Sequence, residues 1–431
     1  MTRRSVIAAL LLGAVLAYHA WAVVARAGRE PHMDENEYMH AGWMMANGER
    51  LYETFFEHHS PFFFKALEWI APEGERVDVH PYFIRARWLC GAFGLMALAA
   101  FAALLWRAAP EAGAIGVALL LATGPLWLRG FAEVRAEPFA LAFFWIGSLL
   151  AMHRRDAVGG IGIGLVAISC IWMPKWPVAC AAVGLLWLFR CTHKIGGIVA
   201  AALTAAAGFA ALRALVPLDV WWFFNFDVNR VLASQVDASQ WALDAYFGGG
   251  IPFLHAPRAF RPSVVVPSLL LVGAALAVER KTPNAAWRLL PVLVLAAAFI
   301  EIRVLYPWPA IWSHYYLMWG IAAAGVLALV PSSIAILLRR ANVREGLART
   351  TTIAVHAALF LLLFAHLAAL APVRGDGATY FVSARWMLRN LQPGERVWIE
   401  APRHPIAVKD AHYYWFSVGQ MVSGAKELRK T

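Results

Sequence analysis

The stretch Met33-Asp34-Glu35-Asn36-Glu37-Tyr38 places acidic side chains directly behind the first long apolar segment, residues 5–25. That segment is long enough to cross a bilayer, which takes about 20 apolar residues. Asp34 and Glu35 therefore emerge within ten residues of a membrane surface, where a carboxylate meets lipid headgroups. A carboxylate at that depth is placed to take a proton from a hydroxyl that reacts with a lipid-linked substrate. It also has a structural use. Asp34 with Glu37 fits the first and fourth positions of a capping box, and Glu35 suits the positive start of a helix. The two uses are compatible, since a carboxylate that holds a helix start is itself held in place.

Three further groupings carry ionisable side chains to membrane rims. In Arg129-Gly130-Phe131-Ala132-Glu133-Val134-Arg135-Ala136-Glu137-Pro138, four charges border the hydrocarbon, which is costly unless they are used or paired. Either they form Arg–Glu pairs that close a loop, or Glu133 or Glu137 supports the first carboxylate while Arg135 holds a phosphate or a carboxylate. In His58-His59-Ser60-Pro61-Phe62-Phe63-Phe64-Lys65, adjacent histidines cannot share one helical face, so a helix-borne metal pair is not expected. Zinc on a loop, with a ligand from elsewhere, stays open. Lys65 is either a snorkelling lysine or a point charge for a lipid phosphate. In the third grouping, Glu301 to Pro307 with Trp312 to Tyr316, the aromatics read as an interfacial belt, while Arg303, His314 and Tyr315 would make a phosphate cradle. Lys175, between Pro174 and Pro177, has a weaker claim of the same kind. Walker, dinucleotide and nucleophile-elbow patterns are absent from the sequence, so the energy for a reaction is expected to come from the substrate.

Positioning these groups falls to a membrane scaffold. Of 431 residues, 61% are hydrophobic and 15% charged, with a mean hydropathy of +0.58. Soluble domains carry about 25% charged residues. The sequence reads as an all-α polytopic membrane protein with about eleven spans: 5–25, 84–106, 112–128, 137–152, 157–173, 175–190, 195–216, 263–279, 288–304, 312–337 and 350–371. With the N-terminus inside, the short cytoplasmic segments hold fourteen Lys and Arg, among them Arg107, Arg154, Arg190 and Arg340. The short outer loops hold four: Arg129, Arg135, Lys175 and Arg303. Basic residues favour the cytoplasmic side, which gives an N-in, C-out orientation. The formal charge of +11 is thus largely topological, its remainder suited to anionic lipid phosphates, and no nucleic-acid motif accompanies it. None of the four cysteines (Cys90, Cys170, Cys180, Cys191) falls in an outer loop, so no disulfide framework is expected. These features suit a bacterial inner membrane, with the first span retained as an anchor.

Residues 1–371 read as one transmembrane module with long periplasmic loops at 29–83 and 217–262, followed by a small C-terminal periplasmic α/β segment, 372–431. In the first loop, Tyr38, Ala41, Gly42 and Met45 share one apolar helical face, and Asn47-Gly48 ends the helix. Such a helix would lie along the membrane plane. The second loop opens on Trp221-Trp222-Phe223-Phe224, aromatics suited to re-entering the interface. The tail predicts a helix near 378–391 and a strand over Arg396-Val397-Trp398-Ile399.

Taken together, the pieces resemble the GT-C glycosyltransferase superfamily, in particular the bacterial Rgt-type transferases, the aminoarabinose lipid A transferases and the protein O-mannosyltransferases. The resemblance runs from residue 1 to about 371. It rests on Asp34-Glu35 with Tyr38 after span one, the His59-Ser60-Pro61-Phe62 turn, Arg135-Ala136-Glu137-Pro138 before span four, and His314-Tyr315-Tyr316 opening a late span. It implies an inverting transfer of a sugar from a polyprenyl-phosphate donor to a lipid, glycan or protein hydroxyl at the periplasmic face. Asp34 would be the base, Glu35 its neighbour and Glu133 the second acidic position. Lys65, Arg135, Arg303, His314 and Tyr315 would bind the donor phosphate, with Tyr38, His58, His59, Glu137 and Lys175 as further pocket candidates. No cofactor is implied, a divalent cation being the one open possibility. The turn departs from the usual Pro-Pro by reading Ser60-Pro61, which leaves the acceptor side of the pocket open. The competing reading is a transporter or flippase of a lipid-linked sugar, but such proteins place charges near the bilayer midplane and are built from repeats. This sequence has rim charges and no repeat. A non-enzymatic scaffold would leave the rim carboxylates without a purpose.

Overall fold

In the computed structural model, the charged sequences around Asp34, His58 and Arg135 gather at one end of a helical bundle. The structure describes residues 3–228, 262–301 and 317–343 apart from short gaps (30, 56, 123–126, 128–129, 193, 280–281 and 283), with isolated residues at 346–357, and residues 378–392, 395–397 and 405–409. Numbered in chain order, the helices are α1 (Arg3–Arg26), α2 (Met33–Ala46), α3 (Pro61–Glu68), α4 (His80–Ala108), α5 (Pro110–Leu121), α6 (Glu137–Ala151) and α7 (Asp156–Trp172). They continue with α8 (Pro177–Arg190), α9 (Lys194–Leu215), α10 (Leu218–Trp222), α11 (Pro262–Glu279), α12 (Ala285–Ile300), α13 (Leu317–Arg340) and α14 (Ala378–Asn390).

Four of these helices are long and apolar enough to cross a membrane: Ser5–Arg26, His80–Ala108, Lys194–Leu215 and Leu317–Arg340. Six apolar helices are shorter, among them α5, α6, α7 and α8. An all-α membrane protein is therefore found, but length and composition do not return the expected count of eleven spans. The expected span 350–371 lies almost wholly outside the described residues. The hairpin at Met173-Pro174-Lys175-Trp176-Pro177 is a true break, because α7 stops at Trp172 and α8 restarts with Pro177 in its first turn. A proline in the first turn of a helix gives up a donor that would have no partner anyway.

Packing follows the small residues. Helix α7 lies against α6 and α9 through glycines: a Cβ on Gly160 would sit 2.0 Å from the Gly197 carbonyl oxygen, and one on Gly147 would sit 2.6 Å from that of Gly162. In lipid, where apolar contact gives no advantage over lipid tails, such close backbone approach is a main source of helix association. A large central core forms around α4, α5, α6 and α13, with Phe101, Trp145 and Leu327 buried in it.

Helix α2 has the expected stop at Asn47, followed by Gly48 at φ 87°. Its environment differs from expectation. Beyond the expected face, Met39, Trp43 and His40 are buried too, so the helix is covered by other parts of the chain on more than one side. Three covers account for this: α3 and α4, the turn at Gly74 whose carbonyl accepts the Trp43 indole N–H at 3.1 Å, and a segment of the tail. The His40 ring nitrogen Nδ1 donates to the Ile406 carbonyl at 2.7 Å, Lys409 pairs with Glu49 at 2.7 Å, and the Arg76 amide donates to the Ala407 carbonyl at 2.7 Å. The expected tail helix is present as α14. No strand is found among the described residues; of Arg396–Ile399 only the first two are described, and the Val397 amide donates to the Lys409 carbonyl at 3.1 Å.

Candidate functional site

The adjacent acidic residues of α2 part company at once. The cap is His32 rather than Asp34: His32 Nδ1 accepts the Asp34 amide at 3.3 Å, and Glu35 Oε2 accepts the His32 amide at 2.9 Å. The expected Asp34–Glu37 capping box is thus displaced by two residues, because an imidazole fills the role usually held by Ser, Thr, Asp or Asn. Displacement frees Asp34 from capping and commits Glu35 to it.

Glu35 is buried and bound bidentately by Arg87 of α4, Nε to Oε1 at 2.9 Å and Nη2 to Oε2 at 2.6 Å. It also accepts the Val134 amide at 3.0 Å. Arg87 Nη1 donates to the carbonyls of Ala27 at 3.0 Å and Arg29 at 2.7 Å, past the end of α1. Burial alone would raise the Glu35 carboxyl, but the Arg87 charge and these hydrogen bonds hold it below the usual range. Geometry makes Glu35 a strut joining α2, α4, the end of α1 and the 134 loop. A carboxylate so bound has no oxygen left for a reacting proton.

Asp34 turns the other way, to Arg135, and keeps 24% of its side chain exposed. Arg135 is buried and serves three carboxylates: it pairs with Asp34, Nε reaches Glu133 at 3.1 Å, and Nη1 lies 3.6 Å from Glu137. Burial disfavours the guanidinium charge, but these carboxylates more than restore it and raise its pKa well above the ordinary value. Three negative groups around one guanidinium leave the cluster electronegative. Lys175, on the α7–α8 connector, balances part of this; burial lowers its pKa, while Glu137 acts in the opposite direction. The 130–136 loop sits close because Gly94 of α4 lacks a side chain: a Cβ there would lie 2.1 Å from the Phe131 carbonyl oxygen.

Next to this cluster stands a second. Glu57 is fully buried; its Oε1 accepts the His58 amide at 2.7 Å and lies 2.6 Å from His59 Nδ1. His59 Nε2 is 3.3 Å from the Tyr38 hydroxyl, and its Nδ1 is 3.9 Å from Glu37 Oε1. Burial pushes the Glu57 carboxyl up to about 7. Glu37 is raised well above its ordinary value by burial and then by the charges of Glu57 and Asp34. Burial lowers both imidazoles to about 3, so His58 and His59 are neutral at physiological pH. The segment is held from behind by Tyr52, whose hydroxyl donates to the His59 carbonyl and accepts from Asn225 Nδ2 at 3.2 Å. Tyr52 itself sits at φ 68°.

The structure therefore gathers Asp34, Glu133, Arg135, Glu137 and Lys175 into one cluster, with Tyr38, His58 and His59 beside it. Lys65 is engaged elsewhere, with Glu68 on its own helix at 2.7 Å. Arg303, His314 and Tyr315 lie outside the described residues. The sequence reading did not single out Arg87 or Glu57. An arginine inside an apolar span was the available signal for the first. For the second it was a carboxylate directly before two histidines.

No protein-family profile matches the chain, and no curated protein matches it. Solved structures do. ArnT from Cupriavidus metallidurans, crystallised bound to undecaprenyl phosphate, superposes with a TM-score of 0.56 at 15% identity, covering 98% of this chain and 88% of that one. The Archaeoglobus fulgidus oligosaccharyltransferase, tethered to an acceptor peptide containing the NVT sequon, gives a TM-score of 0.50 at 13% identity over 89% of this chain. The chain spans 57% of that enzyme's length. Both are GT-C glycosyltransferases, and at these identities the likeness is one of fold.

Proposed function

From this GT-C fold, we propose that the protein is an inverting glycosyltransferase that moves a sugar from a polyprenyl phosphate to a hydroxyl acceptor at the outer face of a bacterial inner membrane. One observation carries the reading. Of the adjacent carboxylates after the first span, Asp34 alone is partly exposed, and it sits in a buried cluster of fixed charges at the rim of the bundle. The fold, shared with a protein crystallised with undecaprenyl phosphate, supports the donor class.

The chemistry follows from the leaving group. A polyprenyl phosphate departs as an anion, so transfer needs cations near the phosphate and a base on the opposite side of the sugar. Asp34 is the base. Arg135 orients it, and because Arg135 is shared with Glu133 and Glu137, its charge is not spent on Asp34 alone. An ion-paired carboxylate is a weak base at rest, but the acceptor hydroxyl becomes acidic only as its bond to the sugar forms, which is when the proton must leave. Among the described cations we assign the phosphate to Lys175, which feels the charges of Glu137, Arg135 and Asp34; Arg303, His314 and Tyr315 remain assigned to the same task by sequence. The bland account of the 129–138 loop, charge pairs that close it, holds in part: the pairs exist, yet they also reach across to Asp34.

The test is donor consumption by purified protein without added nucleotide. We expect free polyprenyl phosphate to be released, with the transferred sugar inverted at its anomeric carbon. Transfer that requires a nucleotide sugar, or that retains configuration, would reject the proposal.

A further inference from the structure

We propose that Glu37, Glu57, His58 and His59 form a binding site for one divalent transition-metal ion of the zinc type, clamping the 57–59 segment onto helix α2 beside Asp34.

Each of the four residues can present one donor atom, and all four atoms lie within 4.8 Å of one another. Bonds of about 2.0–2.2 Å in a tetrahedron put donors about 3.3–3.6 Å apart. His58 Nδ1 to Glu57 Oε1 is 3.5 Å, within that spacing, and His59 Nδ1 to Glu37 Oε1 is 3.9 Å, a few tenths of an ångström beyond it. The 2.6 Å His59–Glu57 contact has to open, by about 0.7–1.0 Å on the same geometry. Adjacent histidines can both contribute because they lie on a loop and not on a helix.

A second observation points independently to a ligand. Glu57 is completely buried, yet no amide, hydroxyl or cationic donor reaches its Oε2 or the buried Oε1 of Glu37; the carboxyls of Glu37 and Glu57 have each other as neighbours instead. Buried carboxylate oxygens without a donor are costly, and a cation between the two carboxylates removes that cost and their mutual repulsion. Surrounding charge permits it: Asp34, Glu133 and Glu137 outnumber Arg135 and Lys175. Two imidazoles with two carboxylates select zinc-like ions over magnesium or calcium, which prefer all-oxygen sites. His59 has the usual outer support of a metal-bound histidine, since its second nitrogen faces the Tyr38 hydroxyl at 3.3 Å. Asp34 is not a ligand here. It stays with Arg135, so the ion would organise the wall of the cavity and leave the base to the reaction.

The test reads metal directly and does not rest on sugar transfer. Full-length protein purified without a polyhistidine tag or chelator is dialysed against Zn2+ or Co2+ and analysed by mass spectrometry of metals. About one ion per chain is expected, and the Co2+ form should show the intense visible absorption of a tetrahedral N/O site. Glu57→Gln and His59→Asn should each reduce uptake at least tenfold, and Zn2+ should raise the melting temperature of the wild type only. Substoichiometric uptake by the folded wild type, or a pale octahedral Co2+ spectrum, overturns the proposal even if the variants fail to fold. Unchanged uptake by both folded variants overturns it as well.

Discussion

Asp34 and Glu35 are chemically almost the same residue, and their neighbours assign them different work. One faces a shared arginine at an accessible rim, while the other is enclosed by Arg87 and two amides. Glu35→Gln should therefore act on stability. It leaves the Arg87 charge buried without a counter-charge, which costs about 3–5 kcal/mol, and a large fall in melting temperature is the readout. Glu35 also gives a pH dependence with a defined sign. Its carboxyl is lowered in the folded protein, so the stability it confers is complete above its ordinary value of 4.5 and is lost as pH falls below that. Melting temperature measured against pH should decline through the acid range in the wild type, with a shallower decline in Glu35→Gln. Asp34 was legible in the sequence from its distance to the first span. The division of labour was not, because it depends on which residue caps α2, and histidine is not among the residues a capping pattern looks for. Glu57 and Arg87 also escaped notice: each left a local mark, but the partners that give them their place, Glu37 and Glu35, lie 20 and 52 positions away.

At the scale of elements, the site depends on two close approaches. Gly42 of α2 lets that helix meet α3 and α4, because a Cβ there would lie 2.6 Å from both the Leu67 Cβ and the Tyr82 hydroxyl. Gly94 of α4 does the same for the loop that carries Glu133 and Arg135. Gly94→Val should push that loop outward by more than an ångström, separating Arg135 from Asp34. Transfer activity is expected to fall by about a hundredfold or more, as a 1 Å misplacement can cost. Gly184→Val, where a Cβ meets nothing within 4 Å, should be nearly neutral and serves as the control. The sequence foretold the C-terminal end of α2, the hairpin at Pro174–Pro177 and the tail helix, because proline, glycine and apolar periodicity are local signals. It did not show how fully α2 is covered, since the residues that cover it come from the turn at Gly74 and from the tail around Ile406.

At the scale of the molecule, charge sorts the two ends of the bundle. The acidic and aromatic cluster occupies the end where α1 finishes and α4, α6 and α8 begin. The opposite end carries Arg107, Arg190, Arg339 and Arg340 at the last turns of their helices. There Arg190 lies over the Trp287 ring and Arg288 reaches the Ala108 carbonyl at 3.3 Å. Basic termini favour the cytoplasmic side, and on that rule the proposed orientation has the cluster outside. Single cysteines at the exposed positions Glu73 and Thr192, in a background without the four native ones, should report this. An impermeant maleimide added to intact spheroplasts should label Glu73→Cys and spare Thr192→Cys; the reverse pattern would invert the orientation.

The measurement closest to the heart of the account is single-turnover sugar transfer from a polyprenyl phosphate by Asp34→Asn, set beside its binding of the same donor. The account predicts a rate lower by about 10²–10⁴-fold, the range typical of a lost general base, with melting temperature and donor affinity close to those of the wild type. A rate equal to that of the wild type would mean that some other group receives the proton.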